Sequence, residues 1–180
     1  VKKVVGYVLL GLIVVVGIIL AVAAFQPKEF KIERSVTTTG SAEAVYNLMS
    51  DFKRLSEWSP WVQADPNSVL SYGEITQGQG AWYSWNSKQM GAGKQTIVNA
   101  VPNQRVDSDL EFLEPWPSVA KAYYAIEDDG TQRKVFWGMT GSNDSILQRA
   151  GAMMFDMDGM ISREFDKGLN NVKAVVEGRQ

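Results

Sequence analysis

The sequence contains no cysteine and no histidine. The first absence excludes disulfides, thiolate nucleophiles, thiolate metal sites, c-type haem attachment and a lipid-modified cysteine. The second removes the commonest metal ligand, the usual general base near neutral pH and every serine or cysteine mechanism built on imidazole. Any chemistry therefore rests on carboxylates, Tyr, Lys, Arg or hydroxyls, and no metal or cofactor site is expected. An excess of one charge sign is missing too: 18 basic residues face 20 acidic ones, with no basic stripe, so nucleic acid is not an expected partner.

A long uncharged run is present. Lys2 and Lys3 precede Val4 to Phe25, whose only polar features are the Tyr7 hydroxyl and three glycines. A helix needs about 20 such residues to cross the hydrocarbon core, so this reads as one membrane span over residues 1–25, with residues 4–25 in contact with the bilayer. A cleaved signal has a shorter apolar region, although Ala21-Val22-Ala23-Ala24 offers a small-residue cleavage site, and a buried core helix is the third reading. Lys2 and Lys3 on one flank face Lys28, Lys31 and Arg34 on the other, so charge counting alone is nearly a tie for orientation. The very short lysine-bearing flank resembles a signal anchor, which would put the amino end in the cytoplasm and the rest of the chain on the extracytoplasmic side. Residues 26–180, about 155 of them, are enough for one sizeable core and are expected to form a single domain.

Beyond Gln26-Pro27, Phe30, Ile32, Arg34 and Val36 alternate with polar positions as in a half-buried strand. Ser41 is an expected N-cap for a short helix with Val45, Tyr46, Met49 and Phe52 on one stripe. Pro60 and Pro66 confine a second helix to about Phe52 to Glu57. Five or six strand-like runs follow: Val69 to Tyr72, Gly80 to Trp85, Gln95 to Val101, Arg105 to Phe112, Val119 to Ile126 and Arg133 to Met139. Turn formers such as Pro102-Asn103, Pro115-Trp116-Pro117 and Asp128-Asp129-Gly130 separate them, which favours antiparallel pairing by hairpins.

Met157, Ile161, Phe165, Leu169, Val172 and Val176 then recur at helical spacing. A helix over Asp156 to Glu177 would be about 33 Å long and is the one element expected to cover the dry face of the sheet. Lys173 and Arg179 near its end suit the helix dipole. The expected class is α+β: a strongly curved antiparallel sheet around a long C-terminal helix. The two surfaces diverge, leaving a gap unless large side chains fill it.

Three segments carry a family likeness. Trp58-Ser59-Pro60-Trp61, Val101-Pro102-Asn103 with Arg105, and Phe155 to Leu169 with its Phe165-Asp166-Lys167-Gly168-Leu169 stretch resemble motifs of the START-like (SRPBCC) superfamily with the helix-grip fold. The likeness is to the bacterial polyketide cyclase/dehydrase and lipid transport group, in a membrane-anchored subset, over about residues 29 to 177. That resemblance implies a hydrophobic small molecule or lipid as partner and carries no universal catalytic set.

The chain has six tryptophans and six tyrosines, concentrated where loops meet strands, and core packing alone explains many of them. The functional reading is that Trp58, Trp61, Tyr83, Trp85, Tyr124 and Trp137 line an apolar cavity, with indole or phenol groups to orient a polar head. Met139 alternates with Trp137 toward the same side, and Met90, Met153 and Met157 supply adaptable walls or an entrance. Ala122 and Gly138 are expected to face the void. Gly91 and Gly93 are expected at a bulge or bend. Asp107, Asp109 and Glu111 share the face opposite Leu110 and Phe112, toward solvent, so no catalytic role is expected of them. The leading expectation is a membrane-anchored binding module for a hydrophobic molecule. The alternatives are a cyclase, dehydratase or hydrolase acting on an apolar carbonyl compound through a Tyr hydroxyl, with Tyr83 or Tyr124 as candidates, or through a carboxylate shifted by desolvation, and a protein-interaction module.

Overall fold

In the computed structural model, which describes residues 2–178, the apolar run is one helix, α1 (Lys2–Phe25). Among the described residues it is the one helix long and apolar enough to cross a membrane. Nearly all of its side chains are exposed; Ala23, near its end, is buried. Arg179 lies outside the described residues.

Strand β1 (Glu29–Thr38) buries Ile32 and half-buries Phe30 and Val36, as its alternation requires. Ser41 caps α2 (Ala42–Met49) by accepting from the Ala44 N–H, and Val45, Leu48 and Met49 turn into the core. A short 3-10 turn (Phe52–Arg54) leads into α3 (Leu55–Trp58). The prolines do not confine helix to the segment before them: Pro60 opens a further helix, α4 (Pro60–Ala64), at the first helical position, where a missing N–H costs nothing.

Six more strands follow: β2 (Val69–Tyr72), β3 (Trp82–Ser87), β4 (Gly91–Val101), β5 (Arg105–Glu114), β6 (Ser118–Asp128) and β7 (Arg133–Ser142). With β1 they make one antiparallel sheet in the order β1-β7-β6-β5-β4-β3-β2, so the first strand pairs with the last. β4 begins four residues before the expected Gln95, because Gly91 and Ala92 pair with β3 and the register shifts at Ala92/Gly93. A side chain at Gly93 would run into the Trp85 indole, which lies across that glycine.

A helix the hydrophobic periodicity did not signal, α5 (Ile146–Met154), precedes the terminal helix α6 (Met157–Val176). Asp156 separates them in the left-handed region (φ 46°), a conformation that aspartate tolerates better than most residues. The α6 stripe of Ile161, Phe165, Leu169 and Val172 is buried. The helix packs chiefly on β1, and Arg34 Nε donates to Asp166 Oδ1 at 2.8 Å across that contact. It does not cover the concave face alone. α2, the 3-10 turn and α3 bring Leu48, Phe52, Leu55 and Trp58 into the same core, and Asn171 Nδ2 on α6 donates to the Trp58 carbonyl at 3.1 Å. A bare glycine lets these layers meet: at Gly168 a Cβ would strike the Trp137 ring and crowd Pro60.

Candidate functional site

Where β3 to β5 curl away from α6, a cavity of about 430 Å³ remains between sheet and helices. The period of two explains its wall. On β3, Tyr83 and Trp85 face inward while Ser84 does not; on β7, Trp137 and Met139 do so on either side of Gly138. Gln95, Leu110, Phe112, Ala122 and Tyr124 complete the sheet side, and Trp58, Trp61, Met157, Ile161 and Phe165 close the helical side.

Edge-to-face and stacked rings hold one end rigid. Trp137 stacks on Phe165 at 4.2 Å and 13°, Trp58 meets Trp137 edge-on at 5.2 Å, and Tyr124 stands 5.7 Å from Trp137. A second group, Tyr83, Trp85 and Phe112, makes the opposite wall, with centroid distances of 5.7 and 6.0 Å.

Polar groups in this wall are few. The Trp58 Nε1 and Gln95 Nε2 donors are buried with no hydrogen-bond partner; the Gln95 amide lies beside the Tyr124 hydroxyl without a well-formed bond to it. Burial pushes both the Tyr83 and Tyr124 phenols far above their ordinary range, so each is a neutral hydroxyl at any physiological pH. Among the described residues, no Asp, Glu, Lys or Arg lines the cavity.

Nine of the ten residues singled out from the sequence come together here: Trp58, Trp61, Tyr83, Trp85, Met90, Tyr124, Trp137, Met139 and Met157. Met153 does not. It belongs to α5, is exposed, and has its sulfur 4.0 Å from Gln26 Nε2, because the break at Asp156 turns α5 away from the cavity. Gly138 also faces away: a side chain there would meet the Tyr123 ring on the convex face, whereas Ala122 does line the void. Of the other tryptophans, Trp116 is exposed on a hairpin and Trp82 lies under Lys94, 5.0 Å from the ring centre. Gln95 was missed; its signal was a polar residue two positions from inward-facing Ile97.

The acidic strand positions face outward as expected. Asp107 accepts from Arg105 Nε at 2.8 Å and from Asn99 Nδ2 at 3.0 Å, and Asp109 lies 3.8 Å from Lys121.

A family model described as polyketide cyclase / dehydrase and lipid transport matches residues 29–177. No curated protein matches the sequence. Among solved structures, protein CV1439 from Chromobacterium violaceum is 16% identical with a TM-score of 0.57, covering 84% of this chain and 99% of that one. The di-domain ARO/CYC StfQ from the steffimycin biosynthetic pathway is 12% identical with a TM-score of 0.63, covering 84% of this chain and 52% of its own. DynU16, from the dynemicin biosynthetic locus, is 9% identical with a TM-score of 0.58, covering 82% and 47%. The chain thus spans about half the length of StfQ and of DynU16. At these identities the likeness is one of fold.

Proposed function

Because the chain belongs to the polyketide cyclase/dehydrase and lipid transport family, whose fold supports hydrophobic ligand binding or cyclase chemistry, we propose that it holds a lipid-like or other hydrophobic small molecule in the cavity between sheet and C-terminal helix, tethered to a bilayer through α1. In this reading residues 1–25 are the retained anchor and the remainder is the binding domain. The observation that carries it is an apolar enclosure of about 430 Å³ lined by indole, phenol and methionine side chains, with the Trp58 Nε1 and Gln95 Nε2 donors buried just behind its surface. Leaving such donors unpaired costs about 1–3 kcal/mol each, and a carbonyl or carboxylate oxygen on an otherwise apolar ligand would relieve that cost.

An acyl chain removed from water contributes about 0.8 kcal/mol per CH₂, enough for micromolar affinity, roughly −8 kcal/mol, after association costs. Oleate and the hydrocarbon probe diphenylhexatriene should bind the full-length protein in detergent micelles saturably, read by quenching of tryptophan emission and by probe displacement. Ala122→Phe, which fills the void, should weaken both about tenfold, or about 1.4 kcal/mol, with an unchanged melting midpoint. No saturable change with either probe, together with no co-purifying small molecule in native mass spectrometry, overturns the reading.

The enzymatic alternative has one supporting observation, the two cavity phenols Tyr83 and Tyr124. Held neutral by burial, they suit hydrogen-bond donation to a carbonyl oxygen and not proton abstraction. Cyclisation of a polyketide-like carbonyl substrate that disappears in Tyr83→Phe or Tyr124→Phe, with binding retained, would move this reading to the front.

A further inference from the structure

The register of the sheet separates two unlike ends. Glu29 pairs with Ser142, Ala120 with Gly141, Phe112 with Ser118 and Ala92 with Glu114. The start of β1, reached directly from α1, therefore lies at the same end as the β5–β6 hairpin over 115–117, the β3–β4 turn over 88–90 and the entry to α5. The opposite end carries Asp128-Asp129-Gly130, where Asp129 Oδ1 accepts from the Thr131 and Gln132 N–H groups, and Pro102-Asn103-Gln104.

The end nearest α1 exposes large apolar side chains among its charges, which include Lys28, Lys88, Glu114 and Asp144. Trp116 at the hairpin tip is 80% exposed, and on and just after α5 Leu147, Met154 and Phe155 are 74%, 61% and 73% exposed. The one charged residue within α5, Arg149, is only 7% exposed. A helix lying on a water-facing surface puts its charges outward and its apolar stripe inward; α5 does the reverse. Arg149 is occupied elsewhere: its Nε donates to the Ala23 carbonyl at 2.9 Å, and Nη1 donates to the carbonyls of Asn143 and Asp144 at 2.9 and 3.0 Å. That clamp fixes α5 to the last turn of α1, where a positive group also suits the helix dipole. The exposed apolar face is thereby held beside the point where the long apolar helix ends.

We propose that this end of the molecule, α5 with the Trp116 hairpin, is a docking surface seated on the lipid bilayer that α1 crosses, and that it sets the mouth of the cavity against the lipid. The inference rests on the reading of α1 as a retained span. The bilayer is the occupant because the patch is continuous with the apolar helix through Arg149. An exposed tryptophan at the end of the sheet that α1 enters suits the headgroup boundary, where exposed Lys28 and Lys88 also reach lipid headgroups. Gln89 and Met90 in the β3–β4 turn, with Met157 and Met160 just past α5, line the cavity at this same end. An apolar ligand could then pass between bilayer and cavity without entering water.

The absence of cysteine makes the test direct. Single cysteines at Val14, Gln89, Trp116, Leu147, Phe155 and Thr131, each carrying a nitroxide, would be placed in the full chain in phosphatidylcholine proteoliposomes, with near-ultraviolet circular dichroism matching the parent. The readout is the collision rate with oxygen against that with a water-soluble nickel chelate. Val14 is expected deep in the hydrocarbon, Trp116, Leu147 and Phe155 at the interface with oxygen favoured, Gln89 at headgroup level and Thr131 in water. A deep Val14 with aqueous Trp116, Leu147 and Phe155 overturns the docking surface and leaves the anchor standing. An aqueous Val14 overturns the anchor, and the docking surface with it. Labels at 147 and 155 shielded from both reagents would mark a protein contact and also overturn the proposal. None of these readouts depends on a ligand in the cavity.

Discussion

Gln95 stands in an aromatic wall with its amide nitrogen unpaired, a cost that core packing alone does not explain. If the amide serves a ligand's polar head, Gln95→Leu should bind oleate several-fold to tenfold more weakly, about 1 kcal/mol, while diphenylhexatriene binding is unchanged and the melting midpoint does not fall. Equal loss for both probes would make the residue a packing element only. On the convex face, Tyr123 donates to Glu33, and this bond is the main reason that the Glu33 carboxyl titrates below the ordinary glutamate range; partial burial opposes it, and Lys31 at 3.3 Å adds to it. A lowered folded-state pKa means stability that is present above the unfolded value and lost as pH falls through the folded one. The stability advantage of the parent over Tyr123→Phe should therefore shrink below about pH 4, and the Glu33 carboxyl midpoint should rise in the variant, read by carbon-13 NMR titration. The pair is near solvent, so the effect is small.

Among the helices, α6 has its buried stripe and exposed face assigned by contact, and substitutions should separate them. Leu169→Asp puts an unpaired charge against the sheet and should unfold the protein, whereas Lys167→Ala, on the exposed face, should change stability by less than about 0.5 kcal/mol in thermal melts of the micellar protein. Equal midpoints would remove α6 from the core. Arg149→Met tests α5: three carbonyls lose their donor, a loss of about 1–3 kcal/mol from one element, so the first expected sign is faster proteolysis between Phe25 and Lys28 before any shift of the global melt. α5 itself was legible in part. Ser145 and Gln148 form a capping box, each side chain bonded to the other's backbone, and that spacing is visible in Ser145-Ile146-Leu147-Gln148. What hid the helix is that its apolar residues face outward and its arginine inward, so its periodicity did not describe a core-facing stripe.

For the whole molecule, the proposed span of α1 would be held by the hydrophobic effect and not by charge, so on that proposal the full chain should remain with membranes through high salt and carbonate. Recovery of chain still carrying residues 1–25 in the soluble fraction would contradict the anchor, and N-terminal sequencing separates an anchor from a cleaved signal. The convex face, by contrast, carries outward carboxylates such as Asp107 paired with Arg105 at 2.7 Å, as a solvated surface does.

Local chemistry settled much of this protein before any tertiary contact was considered. The period of two made the strands and the inward pairs Tyr83/Trp85 and Trp137/Met139, the period of 3.6 made α6, and Ser41 and Asp128-Asp129-Gly130 placed a cap and a turn, because each depends on neighbours within a few residues. Tertiary structure decided the rest. Met157 reaches the cavity and Met153 does not, since the break at Asp156 redirects the chain; Gly138 faces Tyr123 and not the void, since strand parity and sheet face combine there; and Arg149 finds Ala23 across more than a hundred residues of chain. Whether indoles and phenols fill a core or enclose a space depends on where a straight helix and a curved sheet part, a distance set by both surfaces together.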